Sequence, residues 1–140
     1  MLYFDTSLLV AALTPEAESG RVEAWIGAQD AGSLVVSDWV TAEFSAALSV
    51  KLRNRQIDEA QRAEALAGYS VLCAESLMIL PVSHEQFHTA ARFADRYALG
   101  LRAGDALHLA ICADHGTTLC TLDRRQSDAG PSLGVAAILV

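Results

Sequence analysis

The chain has 140 residues, enough for one ordinary domain, and its 52% content of apolar residues excludes a globally disordered protein. Its net charge of −7 argues against a module that holds nucleic-acid phosphates non-specifically, because such surfaces are usually basic, but it suits an enzyme that approaches phosphates through divalent cations. No apolar run of about 18 residues is present to span a membrane, and the segment around Asp5 lacks the basic leader of a secretory signal. We therefore expect one cytoplasmic domain over residues 1–140.

In the first half of the chain, short apolar runs alternate with helical patterns. The predicted elements are a strand at Leu2–Phe4, a short helix from about Ser7, a helix from Ser19 to about Ala28, a strand at Leu34–Val36, and a helix from Ser37 or Asp38 to about Arg53. Gly32 separates the second of these helices from the strand that follows it.

The same alternation continues in the second half. The predicted elements are a helix from Asp58 to about Ala74, a strand at Leu77–Leu80, a helix from Ser83 to about Ala98, a helix at Asp105–Asp114, and strands at Thr118–Thr121 and Ala136–Val140. Short apolar strands separated by helices indicate a mainly parallel sheet of four to five strands that is covered on both faces. The predicted fold class is a three-layer α/β/α domain.

Four acidic residues fall where the strands of such a sheet end or in the first turns of helices that begin there. They are Asp5, Glu43, Asp105 and Asp123. In open α/β sheets, ligands bind outside the carboxyl ends of the strands, and a helix that runs back along the sheet begins at that same edge. We therefore expect the four carboxylates to converge at one edge of the sheet.

Two of these carboxylates lie among apolar neighbours. Glu43 has only apolar residues three and four positions away on its helix, and Asp105 heads a nearly all-apolar helix. Burial of an unpaired carboxylate is costly, so each needs a hydrogen-bond donor, a cation or a raised pKa. The basic residues close to the acids in sequence are Arg102, Arg124 and Arg125. So many acids with so few bases predict a site for a hard divalent cation, Mg²⁺ or Mn²⁺.

Most of the acids also have a purely structural interpretation. Asp5 can cap the helix that follows it, and Asp105 can be the N-cap of its own helix after Gly104. Asp123, followed by Arg124, is typical of a turn. Glu43 has no capping role to play, because it lies inside its helix. Because all four residues are predicted to lie at the same edge of the sheet, a shared site is favoured over four separate structural roles.

The segments around the four acids resemble those of the PIN-domain family. The matching segments are Leu2–Val10 (LYFDTSLLV), Thr41–Glu43 followed by Ala46–Leu48, Leu101–Ala110 (LRAGDALHLA), which is the most specific, and Thr121–Asp123. Their order, their spacing and the total length are similar to those of VapC-type toxins of bacterial and archaeal toxin–antitoxin pairs. The resemblance covers essentially the whole chain.

This resemblance implies a PIN-like fold and an endoribonuclease that hydrolyses RNA phosphodiester bonds with Mg²⁺ or Mn²⁺. Asp5 and Asp105 would anchor the principal metal ion, and Glu43 and Asp123 would complete its surroundings directly, through water, or at a second metal ion. The resemblance also implies a VapB-type antitoxin as partner and a homodimer. The chain departs from the family at Gln126, where an aromatic residue is common three positions after the last acid.

Some residues near the acids have two interpretations. Thr6, Ser7 and Thr121 can orient carboxylates or water, but each can equally bond to the backbone of a turn, and for Ser7 we favour the turn. His108 lies one helical turn beyond Asp105, and on so apolar a helix we expect it to be a packed, hydrogen-bonded histidine.

The sequence also permits two other interpretations of the function. His84-Glu85-Gln86-Phe87-His88 is a literal HExxH motif, in which His84 and His88 can bind zinc and Glu85 can act as a base. The motif follows Pro81 at the start of a helix, and no third ligand is evident downstream, which argues against a zinc protease. The other alternative is a PIN-fold binding module without catalytic activity, which the acidic net charge favours and the retention of four acids disfavours.

Overall fold

The computed structural model describes residues 1–140, with five strands and seven α-helices. The strands are β1 (Leu2–Phe4), β2 (Leu34–Ser37), β3 (Met78–Leu80), β4 (Thr118–Thr121) and β5 (Ala137–Leu139). The α-helices are α1 (Thr6–Leu13), α2 (Ser19–Gly27), α3 (Asp38–Arg53), α4 (Glu59–Glu75), α5 (His84–Ala94), α6 (Ala103–His115) and α7 (Arg124–Ala129). Short 3₁₀ turns occupy Ala31–Ser33, Tyr97–Leu99 and Gly130–Leu133.

The five strands form one sheet in the order β3-β2-β1-β4-β5, and every neighbouring pair is parallel. The chain runs outward from β1 through β2 to β3, and then returns to the other side of β1 for β4 and β5. The strand order therefore reverses between β1 and β4. In sheets of this kind the crevice outside the carboxyl ends of the strands at the reversal is the usual ligand site.

Strands β1 and β2 both lie inside the sheet, where helices on each face can bury their side chains. All four residues of β2 are buried, as expected for a strand covered on both faces. On one side α1 contacts α2, α3 and α4, and elsewhere α5 runs along α6, whose segment Ala106–Cys112 is wholly buried. The three-layer α/β/α prediction is confirmed. None of the helices combines the length and the apolar character that crossing a bilayer requires.

Three helices depart most from the sequence-based prediction. Helix α5 ends at Ala94 rather than near Ala98, because Arg96 leaves the helical region (ψ 68°) and Gly100 closes a 3₁₀ turn with a left-handed φ of 63°. Helix α6 begins at Ala103, two residues before Asp105. Helix α7 was not predicted, because its sequence RRQSDA has no apolar periodicity.

Candidate functional site

Asp5 comes directly after β1 and is almost fully buried, with 4% of its surface exposed. Its Oδ1 accepts hydrogen bonds from the Ser7 hydroxyl at 2.6 Å and the Leu8 backbone N–H at 3.3 Å, and its Oδ2 accepts one from the Thr121 hydroxyl at 2.6 Å. The Leu8 contact makes Asp5 the N-cap of α1, so the capping interpretation is correct. Burial raises the pKa of Asp5, and the electrostatic effect of His108, followed by the three neutral donors, opposes this shift. The carboxyl group is thus fixed in place without an ion pair to Lys or Arg.

Glu43 lies in the second turn of α3, and its side chain is partly buried. Its Oε2 accepts hydrogen bonds from the Thr6 hydroxyl at 2.6 Å and from Nε2 of His108 at 2.7 Å. Burial acts to raise the pKa of Glu43, but the contacts with His108 and Thr6 together outweigh it, and the pKa is lowered. The donor that this buried glutamate requires is therefore a histidine from α6.

His108 is 3% exposed and is the central member of a buried chain of polar groups. Its Nδ1 lies 2.9 Å from the Tyr3 hydroxyl, which is 2.7 Å from Oγ of Ser37. Burial raises the pKa of Tyr3 well above its ordinary value, so this phenol stays protonated. The expectation of a packed, hydrogen-bonded His108 is confirmed, but the sequence did not reveal that its partner is Glu43.

Asp105 and Asp123 each use one carboxylate oxygen to hold a helix N-terminus. Oδ2 of Asp105, at the third position of α6, accepts a hydrogen bond from the Arg102 backbone N–H at 3.0 Å. Oδ1 of Asp123, the N-cap of α7, accepts from the backbone N–H groups of Arg125 at 2.8 Å and Gln126 at 3.3 Å. Both residues therefore have structural roles, but not the predicted ones, because Asp105 is the third residue of α6 rather than its N-cap and Asp123 caps a helix rather than forming a turn. Each still has one oxygen without a hydrogen bond.

Gln126, where the family often has an aromatic residue, is 2% exposed. Its Nε2 lies 3.4 Å from the backbone carbonyl of Asp105 and donates to it, which ties α7 to α6. Thr121 connects the segments of Asp5 and Asp123. Its Oγ1 accepts a hydrogen bond from the backbone N–H of Asp123 at 2.9 Å and donates one to Asp5. The segments that carry three of the acids are thus linked by two buried polar side chains.

The four carboxylates line a single pocket of about 340 Å³. Its polar walls are Asp5, Thr6, Ser7, Glu43, Asp105, His108, Asp123 and Gln126, and its apolar walls are Ala46, Ala47 and Val50. No lysine or arginine lines it, and no salt bridge joins an arginine to any of the four acids. The structure therefore brings together all four acids that the sequence singled out.

The pocket offers oxygen ligands, but protein side chains alone do not complete the coordination of a metal ion there. No three His, Cys, Asp or Glu side chains are grouped closely enough to hold one ion by themselves. Mg²⁺ does not require such a group, because it keeps several waters and is usually held by one or two carboxylates. Glu43, Asp105 and Asp123 each present one oxygen that carries no hydrogen bond. The donor set therefore fits a partly hydrated hard cation.

Gly104 brings the start of α6 very close to Glu43. A Cβ atom at this glycine would lie 2.7 Å from Oε1 of Glu43 and 3.7 Å from the buried indole nitrogen of Trp39. Any side chain at this position would displace the carboxylate. The sequence does not reveal this packing role of Gly104, because it depends on a contact between α3 and α6.

The HExxH motif lies away from this pocket. Its histidines, His84 and His88, are exposed in the first turns of α5, with their Nε2 atoms 2.9 Å apart. No third His, Cys, Asp or Glu side chain joins them in a group that could hold a metal ion. The three-ligand site that a zinc protease requires is therefore not formed here.

Comparison with known proteins assigns the chain to a family. The PIN domain family matches residues 2–130. No curated protein matches the chain with significance.

Several solved structures share the fold over nearly the whole chain. FitAcB from Neisseria gonorrhoeae is 20% identical, with a TM-score of 0.73 over 99% of this chain and 96% of that chain. VapC20 from Mycobacterium tuberculosis, described as a sarcin-ricin loop cleaving toxin, is 17% identical, with a TM-score of 0.74 over 93% and 95% of the two chains. VapBC2 from Rickettsia felis, bound to a promoter DNA fragment, is 14% identical, with a TM-score of 0.67 over 99% and 98%. At these identities the likeness shows a common fold.

Proposed function

Because the chain belongs to the PIN domain family, we propose that it is a metal-dependent endoribonuclease and the toxin of a VapBC-type toxin–antitoxin pair. The observation that carries this proposal is the pocket at the reversal of strand order, where four carboxylates meet without a lysine or arginine. Such a pocket repels the phosphates of RNA unless divalent cations enter it. The proposed metal is Mg²⁺ or Mn²⁺.

The proposed roles of the acids follow from their hydrogen bonds. Asp5 has both oxygens held by donors, so it presents a fixed carboxyl group to the cation. Asp105, Glu43 and Asp123 each offer a free oxygen to the same pocket, directly or through water. When bound, the cation would neutralise charge on the phosphate and acidify the attacking water.

Residues behind the acids keep them in position. Thr6 and His108 fix the glutamate of α3, and Tyr3 supports His108 from the opposite side. Ser7 and Thr121 fix the carboxyl group of Asp5. We assign these five side chains positioning roles, because none of them has to contact RNA in order to act.

The proposed partners rest on the solved relatives. VapBC-5 from Mycobacterium tuberculosis is a member of a family of toxin–antitoxin systems, and VapC20 is described as a sarcin-ricin loop cleaving toxin. By analogy we propose RNA as the substrate, a VapB-type antitoxin as inhibitor and a homodimer as the working form. Copurification of the chain with the product of a neighbouring small reading frame would test the antitoxin.

The central experiment removes one charge from the pocket. We expect Asp5→Asn to abolish RNA cleavage in Mg²⁺ or Mn²⁺ while the circular dichroism spectrum stays that of the wild type, because asparagine retains the shape and a capping oxygen. EDTA should abolish cleavage by the wild type as well. The matched control is Asp30→Asn, the same substitution at an exposed residue that caps the Ala31–Ser33 turn. It should leave cleavage unchanged.

Cleavage that persists in the Asp5→Asn variant would contradict the proposed site. A wild-type protein that binds RNA in Mg²⁺ but never cleaves it would instead support the alternative of a PIN-fold binding module. Mass spectrometry of the RNA termini distinguishes cleavage by this protein from contamination by a metal-independent ribonuclease. Attack by water leaves the phosphate on the 5′ end of the downstream fragment, whereas attack by the 2′-hydroxyl leaves different ends.

A further inference from the structure

A second cleft of about 560 Å³ adjoins the acidic pocket. It is lined by Ala98, Leu99, Asp123, Arg124, Arg125, Asp128 and Ala129. Asp123 lines both the cleft and the acidic pocket, so the two cavities are neighbours at this residue. A polymer bound in the acidic pocket therefore has this cleft beside it.

The cleft contains two arginines that are not neutralised by ion pairs. Arg124 and Arg125 are exposed, and neither has a carboxylate within ion-pair distance, although Asp128 lies in the same cleft. Nη1 of Arg125 donates to the Gly100 carbonyl at 3.2 Å, which anchors one arm of the guanidinium and leaves its other N–H groups free. A held guanidinium with free donors suits a phosphate group, which it can bind with two parallel hydrogen bonds.

An exposed tyrosine precedes the cleft wall in the sequence. Tyr97 is 91% exposed, its hydroxyl makes no hydrogen bond, and it immediately precedes Ala98 and Leu99 of the cleft wall. A single exposed aromatic residue is ordinary on a protein surface. Exposed aromatic rings and guanidinium groups are the side chains with which proteins hold single-stranded nucleic acid, by stacking on a base and binding its phosphates.

We propose that this cleft is a subsite for single-stranded RNA beside the cleaved bond, in which Arg124 and Arg125 bind phosphates and Tyr97 stacks on an unpaired base. The proposal rests on the proposed ribonuclease function. In an acidic chain, the two arginines supply local hydrogen-bond donors for phosphate, in a cleft that they share with Asp123 and Asp128. The stacking role of Tyr97 restricts the substrate to unpaired segments, since the bases of a duplex are not open to a side chain.

The test measures RNA affinity without cleavage. A fluorescein-labelled single-stranded RNA of mixed sequence is titrated with the Asp5→Asn protein in Mg²⁺ at several salt concentrations, and fluorescence anisotropy gives the dissociation constant. Adding Arg124→Gln or Arg125→Gln should weaken binding and reduce the slope of log affinity against log salt by about 0.7 for each phosphate that the variant no longer binds. Adding Tyr97→Ser should weaken binding by at least about five-fold, and Tyr97→Phe should retain more affinity than Tyr97→Ser.

The matched control is Arg92→Gln, which removes the same charge from an exposed position on α5 that lines neither cavity. It should leave the salt slope unchanged. Because Tyr97, Arg124 and Arg125 are all exposed, the variants should keep the circular dichroism spectrum of the parent. Equal affinity and slope in the parent and the cleft variants would overturn the subsite.

The outcomes separate this subsite from the proposed catalysis. Wild-type cleavage together with unchanged RNA affinity in the cleft variants would overturn the subsite alone. Arginine-dependent RNA binding by a wild-type protein that does not cleave would support the subsite and overturn the ribonuclease. If Tyr97→Ser changes the sedimentation of the protein but not its RNA affinity, the surface joins copies of the chain and the subsite is wrong.

Discussion

At the scale of single residues, the pairing of Glu43 with His108 is the main contact that the sequence did not disclose. The two residues are 65 positions apart, and only the packing of α3 against the start of α6 brings them together. The need for a donor at Glu43 was predictable, because a carboxylate on an apolar helix face cannot be buried without one. The identity of the donor was not, because it depends on the relative position of two helices.

Gly104 provides the first prediction at this scale. The Cβ atom of Gly104→Ala would lie 2.7 Å from Oε1 of Glu43, so the carboxylate must move although Thr6 and His108 hold its other oxygen. We expect the fold to persist and the RNA cleavage rate to fall by roughly 10- to 100-fold, because small displacements of catalytic groups have large effects on rate.

The control for this substitution is Gly20→Ala in α2, where a Cβ atom meets nothing within 4 Å. It should preserve cleavage and raise the free energy of unfolding by up to about 1 kcal/mol, because alanine favours a helix more than glycine does. Full activity in Gly104→Ala would show that the position of Glu43 does not limit cleavage.

The raised pKa of Asp5 gives a prediction about pH. The pKa of this carboxyl group is higher in the folded state than its ordinary value of 3.8, so the folded state favours the protonated form. The group therefore lowers the free energy of unfolding as the pH rises from about 3.8 through the folded-state pKa. In EDTA, the free energy of unfolding of the wild type relative to Asp5→Asn should therefore fall as the pH rises. Urea unfolding at a series of pH values measures this difference, and a constant difference would show that Asp5 ionises without cost.

At the scale of elements, the sequence predicted best where capping and periodicity agree. The helix predicted from Ser83 is formed as α5, and the sequence signal for its start, a Ser83–Gln86 capping box, makes both of its reciprocal hydrogen bonds. Helix α7 was missed because its six residues are polar or small, and what holds them as a helix is the cap at Asp123 together with the buried side chain of Gln126. Neither contribution produces an apolar repeat.

The two roles of Asp123 can be separated by substitution. Asp123→Asn retains an oxygen that can accept from the backbone N–H groups of Arg125 and Gln126, whereas Asp123→Ala removes it. We expect Asp123→Ala to lower the free energy of unfolding by about 1 kcal/mol and Asp123→Asn to lower it by much less. If the carboxylate also serves the metal, both variants should lose cleavage activity to a similar extent. A fully active Asp123→Asn protein would restrict Asp123 to its capping role.

At the scale of the whole molecule, the alternation of apolar runs and helical patterns was sufficient to predict a parallel sheet with helices on both faces. It was also sufficient to place the acids at one edge, because parallel strands all end on the same side. The strand order β3-β2-β1-β4-β5 could not be predicted in the same way, since it depends on which strands pair after the chain returns past β1. The detailed contacts within the pocket depend on that order.

Metal binding should be visible in the stability of the whole protein. A ligand that binds only the folded state at 100 times its dissociation constant adds about 2.7 kcal/mol, which corresponds to several degrees in Tm for a domain of this size. We expect MgCl₂ or MnCl₂ to raise the Tm of the wild type above its value in EDTA. The Asp5→Asn protein should show a much smaller rise. Equal shifts in the two proteins would indicate that the ions act elsewhere.

The parallel sheet also determines where a purification tag or a surface tether can be attached without obstructing the acidic pocket. Since Val140 follows β5 and Met1 precedes β1, the two termini leave the domain from opposite ends of its strands. A purification tag joined after Val140 emerges on the side where the acids gather, and it can obstruct long RNA or add histidine ligands of its own. A tag or surface tether joined before Met1 points away from that side, and is the better choice for assays of this protein.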